Sequence, residues 1–128
     1  MKQTILLVED EKVVRSLMCE VLEKQGYEVL ACAEPKKAIE VSMRHPGRID
    51  LLLTDVIMPG MNGRQMANRI LEMMPGLRVV FMSGYTENVL LDEGLIDSQF
   101  EYLQKPFALK TLMQKLVHVL GPPQKTVQ

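Results

Sequence analysis

The sequence predicts an α/β fold in which five strands form one parallel sheet covered by helices on both faces. Three observations predict it. Short apolar runs recur at Thr4–Glu9, Tyr27–Ala33, Leu51–Thr54, Leu77–Met82 and Phe100–Gln104. They lack the polar alternation of half-exposed strands, so they read as strands buried on both faces. Segments with apolar residues at helical spacing separate them, which makes the sheet parallel, and right-handed crossovers leave few ways to thread it.

In chain order, "TILLVE" closes on acid and is the first strand. Glu11 to Gln25 places Val13, Val14, Leu17, Met18, Val21 and Leu22 on one face of a helix, with Gly26 where a helix end favours glycine. "YEVLACA" is the second strand. Pro35 suits the first turn of a helix with Ala38, Ile39 and Met43 inward, and His45-Pro46-Gly47 ends it. Leu51 to Thr54 is the third strand. Asn62 can cap a helix carrying Met66, Ile70, Leu71 and Met74, which Pro75-Gly76 stops. "LRVVFM" is the fourth strand, and a weakly patterned helix follows between Glu87 and Gly94. "FEYLQ" is the fifth. The last helix carries Leu109, Leu112, Met113, Leu116, Val117 and Leu120, then meets Gly121 and Pro122.

A length of 128 residues suits one domain with a sizeable core, here expected over 1–121 with a frayed tail at 122–128. Net charge is −1 with Lys and Arg scattered, so no basic stripe points to direct nucleic-acid binding. No apolar run is long enough for a signal-peptide core or a membrane span, which makes a cytoplasmic address and no membrane contact the expectation. Cys19 and Cys32 stand alone, without metal-ligand spacing. The ten Met read as adaptable core filler.

In a doubly wound sheet, sites lie outside the carboxyl ends of the strands. Strand one ends in Glu9 and Asp10, strand three in Asp55, strand four in Ser83 and strand five in Lys105. If strands one and three are neighbours, the three carboxylates converge. Three such charges need protonation or a cation. Their hard oxygens favour Mg2+, or Mn2+, over zinc. Lys105 and a divalent cation would balance three carboxylates and could spread the charge of a phosphoryl group on Asp55, while Ser83 donates a hydrogen bond to it. Blander readings stand beside these: Asp55 as a turn residue, Glu9 and Asp10 as helix-capping acids, Ser83 as a turn residue before Gly84, Lys105 as a solvated lysine. Against the last stands Pro106, whose peptide bond, if cis, would aim the lysine inward. Asp50 lies at the far end of strand three. His45 and His118 have no evident partners.

The runs "ILLVEDE", "LLLTDVIMPGMNG", "VVFMSGY" and "EYLQKPF" resemble, in order and spacing over about residues 3 to 120, the motifs of the response-regulator receiver domain of two-component signalling. "FMSGYT" with "LQKPF" looks most like the C-terminal receiver of hybrid sensor histidine kinases. The resemblance implies a flavodoxin-like (βα)5 fold with strand order 2-1-3-4-5. It implies Asp55 as phospho-acceptor, Mg2+ bound by Asp10 and Asp55, by Glu9 through water and by the carbonyl of Ile57, and Ser83 and Lys105 on the phosphoryl group. Tyr102 matches the switch aromatic that turns inward on phosphorylation, altering the helix4–strand5–helix5 face. The implied partner is a histidine kinase or histidine phosphotransfer domain, and the chain a monomer or weak dimer. The resemblance also implies a domain that catalyses only its own phosphorylation and dephosphorylation. The acidic pair is Glu-Asp where many members have Asp-Asp, and Ser83 stands where Thr is commoner.

Other functions fit less well. An aspartyl-phosphate phosphohydrolase wants an acid two residues after the nucleophile, where this chain has Ile57. A flavin or nucleotide module wants a Gly-rich loop after strand one, where this chain has "EDEK". A docking scaffold would not need the acidic, hydroxyl and lysine positions together. There is no room after Leu120 for a DNA-binding helix-turn-helix, so a stand-alone receiver and a piece of a longer kinase are both open.

Overall fold

The computed structural model describes residues 2–122. Of the tail expected at 122–128, residues 123–128 lie outside the described residues. Among the described residues ten elements alternate strictly: β1 (Thr4–Val8), α1 (Lys12–Lys24), β2 (Glu28–Cys32), α2 (Pro35–Arg44), β3 (Leu51–Asp55), α3 (Gly63–Met73), β4 (Arg78–Ser83), α4 (Glu87–Asp92), β5 (Glu101–Gln104) and α5 (Leu109–Leu120). All four pairings are parallel, in the order β2-β1-β3-β4-β5. This is the flavodoxin-like arrangement.

β1 and β3 are buried throughout, and β4 is buried beyond its exposed first residue, Arg78, as their apolar runs require. Successive side chains point to opposite faces, so they feed two cores. Leu6, Val8, Leu52 and Phe81 pack with Ala38, Met66, Ile70 and Leu90 of α2, α3 and α4. Ile5, Leu7, Leu51, Leu53, Val80 and Met82 pack with Met18 and Leu22 of α1 and Leu112 and Leu116 of α5. Each fully buried Leu or Ile contributes roughly 1.5–3 kcal/mol of transfer free energy.

Helix faces are narrower than the apolar spacing suggests. Val13 and Leu17 of α1 are exposed, and so are Leu109 and Val117 of α5. Met43 also points to solvent, and Ser42 takes the buried position in α2, its hydroxyl donating to the Ile39 carbonyl at 2.7 Å. Each helix rests on one face of the sheet, which covers only a stripe of about a hundred degrees. Apolar residues beyond that stripe stay in water.

At the start of α3, the Asn62 side chain accepts from the Gln65 N–H at 2.8 Å and the Gln65 side chain accepts from the Asn62 N–H at 3.0 Å, a reciprocal capping box. α4 is capped by Thr86, whose hydroxyl accepts from the Val89 N–H at 3.3 Å.

Candidate functional site

Parallel strands put all their carboxyl ends on one edge, and there the chain delivers its polar residues. Glu9 extends β1 by one residue, its N–H donating to the Cys32 carbonyl at 3.1 Å. Its side chain is fully buried, and the exposed Asp10 follows. Asp55 is the last residue of β3 and only 4% exposed. Beyond it the Val56 N–H donates to the Met82 carbonyl at 3.0 Å, which fixes β3 against β4. Ser83 ends β4 and is buried. Lys105 follows β5, its N–H donating to the Ser83 carbonyl at 2.7 Å, and the Lys105–Pro106 peptide bond is cis.

Glu9, Asp10 and Asp55 can each place a carboxylate oxygen so that all three lie within 4.8 Å of one another. Lys105 reaches into the same space. Its ammonium contacts Glu9 Oε1 and lies 2.6 Å from Asp55 Oδ1. The second pair is close but misaligned, so Asp55 Oδ1 is buried without a hydrogen-bond donor. Such an atom costs free energy unless a further partner occupies the site. Glu9 is satisfied on both oxygens, with Oε2 accepting from the Glu11 N–H at 3.0 Å.

The electrostatics follow from that difference. Burial, reinforced by the hydrogen bond and charge of Glu9, pushes the Asp55 carboxyl up to about 8 against the pull of Lys105. Burial also acts to raise Glu9, but hydrogen bonds from Asp55, Lys105 and the Glu11 N–H outweigh it and hold that carboxyl below its usual range. Burial opposes the Lys105 charge, yet the two carboxylates hold its pKa above normal. Glu9 and Lys105 are thus favoured in their charged forms, while burial and Glu9 oppose a second carboxylate at Asp55. A divalent cation beside them would favour ionised Asp55.

The structure thus gathers Glu9, Asp10, Asp55 and Lys105. Ser83 lies one residue beyond Met82, the β4 partner of Asp55, with its Oγ accepting from the Tyr85 N–H at 3.1 Å. Tyr102 stands apart from the acids and is half-buried. Its hydroxyl donates to the Ser83 carbonyl at 3.0 Å and also contacts the Tyr85 carbonyl. Ile57 is exposed at the pocket's edge. Asp50 is at the opposite edge, accepting from the Thr4 N–H at 2.7 Å. Contrary to expectation, both histidines have local partners. His45 Nδ1 is 2.9 Å from the Val41 carbonyl, and His118 Nε2 is 3.6 Å from Glu101. Both groupings are remote from the acids in the fold.

Three contributors escaped the sequence. Arg15, one turn into α1, donates to the Glu9 carbonyl at 2.8 Å. The buried Thr54 hydroxyl donates to the Asp55 carbonyl at 2.9 Å. Gly63 lies so close to Asp55 that a Cβ would overlap the Asp55 carbonyl oxygen. The Asn62-Gly63 pair carried the signal for the last, but it reads equally as an ordinary turn.

Comparison with known proteins points the same way. Residues 5–117 match the family profile of the response regulator receiver domain. The sensor kinase CckA of Brucella abortus (strain 2308) is 34% identical over 117 residues, which is 91% of this chain but only 12% of that kinase. The response regulator receiver protein CpdR of the same organism is 34% identical over 116 residues, 91% of this chain and 95% of that protein. Among solved structures, the receiver domain of the hybrid histidine kinase CckA superposes with a TM-score of 0.79 at 35% identity, covering 91% of this chain and 98% of that domain. Among the described residues no helix is long and apolar enough to cross a membrane. With the profile spanning every strand of the sheet and the acid pocket at its carboxyl edge, the chain belongs to the response regulator receiver domain family, the phospho-accepting signalling domains of two-component systems.

Proposed function

We propose that Asp55 accepts a phosphoryl group from a phosphohistidine of a histidine kinase or histidine phosphotransfer domain, in a Mg2+-dependent reaction. The observation that carries this reading is the Asp55 carboxyl itself, buried at a strand end between Glu9 and Lys105 with one oxygen left without a donor.

An all-oxygen set of three acids fits a hard divalent cation, Mg2+ or Mn2+. Asp10 and Asp55 would hold it directly, with the Ile57 carbonyl as a further ligand. Glu9, whose oxygens are already engaged by Lys105 and the Glu11 N–H, would act through water. A bound cation would supply the counter-charge that lets Asp55 ionise beside its neighbours and would offset charge on the phosphoryl oxygens.

The chain's own residues do the rest by position and charge. An Asp55 carboxylate oxygen attacks phosphorus in line with the P–N bond. That bond breaks, and its electron pair returns to the imidazole nitrogen, leaving neutral imidazole when the other ring nitrogen carries a proton. Lys105 and Ser83 meet the phosphoryl oxygens. The product is an acyl phosphate, which water later cleaves, so the state limits itself. The domain turns over no separate substrate.

Ser83 and Tyr102 form the proposed switch. Ser83 Oγ accepts from the Tyr85 N–H, and moving it toward a phosphoryl group releases that bond. Tyr102 is hydrogen-bonded to the carbonyls on both sides of the same turn, so β5 would register its movement. The α4–β5–α5 face then changes for a partner, with the chain acting as a monomer or weak dimer and binding no nucleic acid directly.

The test is incubation with acetyl phosphate, with and without MgCl2, followed by intact mass. One added phosphoryl group that requires the metal and is lost in Asp55→Asn is expected. Labelling that persists in Asp55→Asn, or no labelling with metal present, overturns the proposal.

A further inference from the structure

Charge is unevenly distributed along this chain. Between Val79 and Gln104 lie Glu87, Asp92, Glu93, Asp97 and Glu101, while all 15 Lys and Arg lie elsewhere. Two of these acids are neutralised by residues reaching in from other elements. Arg64 pairs with Asp97 at 3.1 Å, and Lys115 with Glu101 at 2.9 Å. Glu87, Asp92 and Glu93, on α4 and at its end, are exposed, and among the described residues none of the three takes part in an ion pair.

Beside Glu93 is an open apolar groove of about 350 Å³, which it lines together with Ile57, Tyr85, Val89, Leu90 and Leu95. Three of its apolar side chains remain in water: Ile57 is 47% exposed, Tyr85 57% and Val89 43%. Val89 and Glu93 are one helical turn apart on α4, so an apolar anchor and an unpaired acid share a face. Its lining comes from the β3–α3 loop, the β4–α4 turn, α4 and the residues that follow it, with no residue of β5 or α5. An apolar trough with an unneutralised acidic rim is the complement of an amphipathic segment whose polar face is basic.

We infer that this groove docks a cationic amphipathic segment of a partner protein, with apolar residues at i and i+3 or i+4 seated among Ile57, Tyr85, Val89 and Leu95, and Lys or Arg on Glu93 and the adjacent Asp92. The partner's net positive charge follows from the absence of Lys and Arg between Val79 and Gln104. The docking requires no chemistry at Asp55. Because Ile57 is two residues past Asp55 and Tyr85 two past Ser83, the docked segment lies at the rim of the acid pocket.

The experiment is selection of short random displayed peptides on the full chain at low salt, followed by affinity measurement of the enriched peptides. Enriched sequences are expected to be net positive with apolar residues at helical spacing, and to bind more weakly as salt rises. Val89→Lys and Glu93→Lys, both at exposed positions, should each weaken them roughly tenfold or more. Met73→Lys, exposed on α3 outside the groove, should leave affinity unchanged. Asp55→Asn should also leave affinity unchanged, so the groove and the phospho-acceptor can fail independently. No enrichment, enrichment of acidic peptides, or affinity indifferent to Val89→Lys and Glu93→Lys overturns the inference. Self-association of the free chain that Val89→Lys abolishes would give the groove to a second copy, and overturns it as well.

Discussion

Replacing Gly63 by alanine asks how Asp55 is held in place. Gly63 opens α3 and donates its N–H to the Val56 carbonyl at 2.7 Å, which draws its Cα against the end of β3. A Cβ there would overlap the Asp55 carbonyl oxygen and lie 3.0 Å from the Asp55 carbonyl carbon and 3.1 Å from Val56 Cα. All three obstacles are backbone, so no rotamer change relieves the clash. The Thr54 hydroxyl holds the same Asp55 carbonyl, so the strand resists moving. Opening the contact to an ordinary distance needs a shift of about 1.5 Å, and a misplacement of even about 1 Å in an aligned reaction costs on the order of 100-fold in rate. Overpacking of this kind destabilises by roughly 1–3 kcal/mol, or several degrees of melting temperature. The assay is the initial rate of acetyl-phosphate labelling by intact mass, with circular dichroism and a thermal melt on the same sample. Gly63→Ala should label about 100-fold more slowly while remaining folded at 25 °C. Wild-type labelling with a lowered melting temperature would refute the positioning argument, and wild-type values of both would refute the clash itself.

Three further outcomes follow from the same geometry. Asp55 is an acid whose folded pKa is raised, so the metal-free fold holds a proton that the unfolded chain has released; stability should fall as pH rises from about 4 to about 8. Melting in EDTA should show this slope, Asp55→Asn should flatten it, and an equal slope in both proteins would contradict the assignment. Tyr102→Phe removes a hydroxyl bonded to the Ser83 and Tyr85 carbonyls and should cost about 1 kcal/mol in urea unfolding; an unchanged midpoint would mean those bonds contribute nothing. Ile57 and Tyr85 flank the pocket with no acid or amide to orient water, so the wild-type phosphoryl state should outlast that of Ile57→Asn with Tyr85→Glu; faster decay in wild type would sink this.

Much of this was legible from the chain. The run Leu51–Leu53 admits little but a strand buried on both faces, and the parallel rule then converts distant positions into one edge. That logic brings Glu9, Asp10, Asp55, Ser83 and Lys105 to one edge from the sequence alone. What stayed hidden depends on distance in space rather than spacing in sequence. Arg15 looks like any solvated helix arginine until α1 is docked and its guanidinium meets the Glu9 carbonyl. Gly63 looks like half of a turn until α3 is seen to start against Asp55. The exposure of Val13, Leu17 and Met43 was missed because periodicity gives the direction of an apolar face but not how far the neighbouring sheet covers it. His118 was misjudged for a similar reason: its partner, Glu101, lies on β5, in another element.

The measurement closest to the central claim is identification of the modified carboxyl. After exposure to acetyl phosphate and Mg2+, borohydride reduces an acyl phosphate to the alcohol, and tandem mass spectrometry of the digest locates it. Reduction at position 55 alone, absent when EDTA replaces Mg2+, is the predicted result. Reduction at Asp10 or Glu9, or at no residue of the 51–63 peptide, would contradict it.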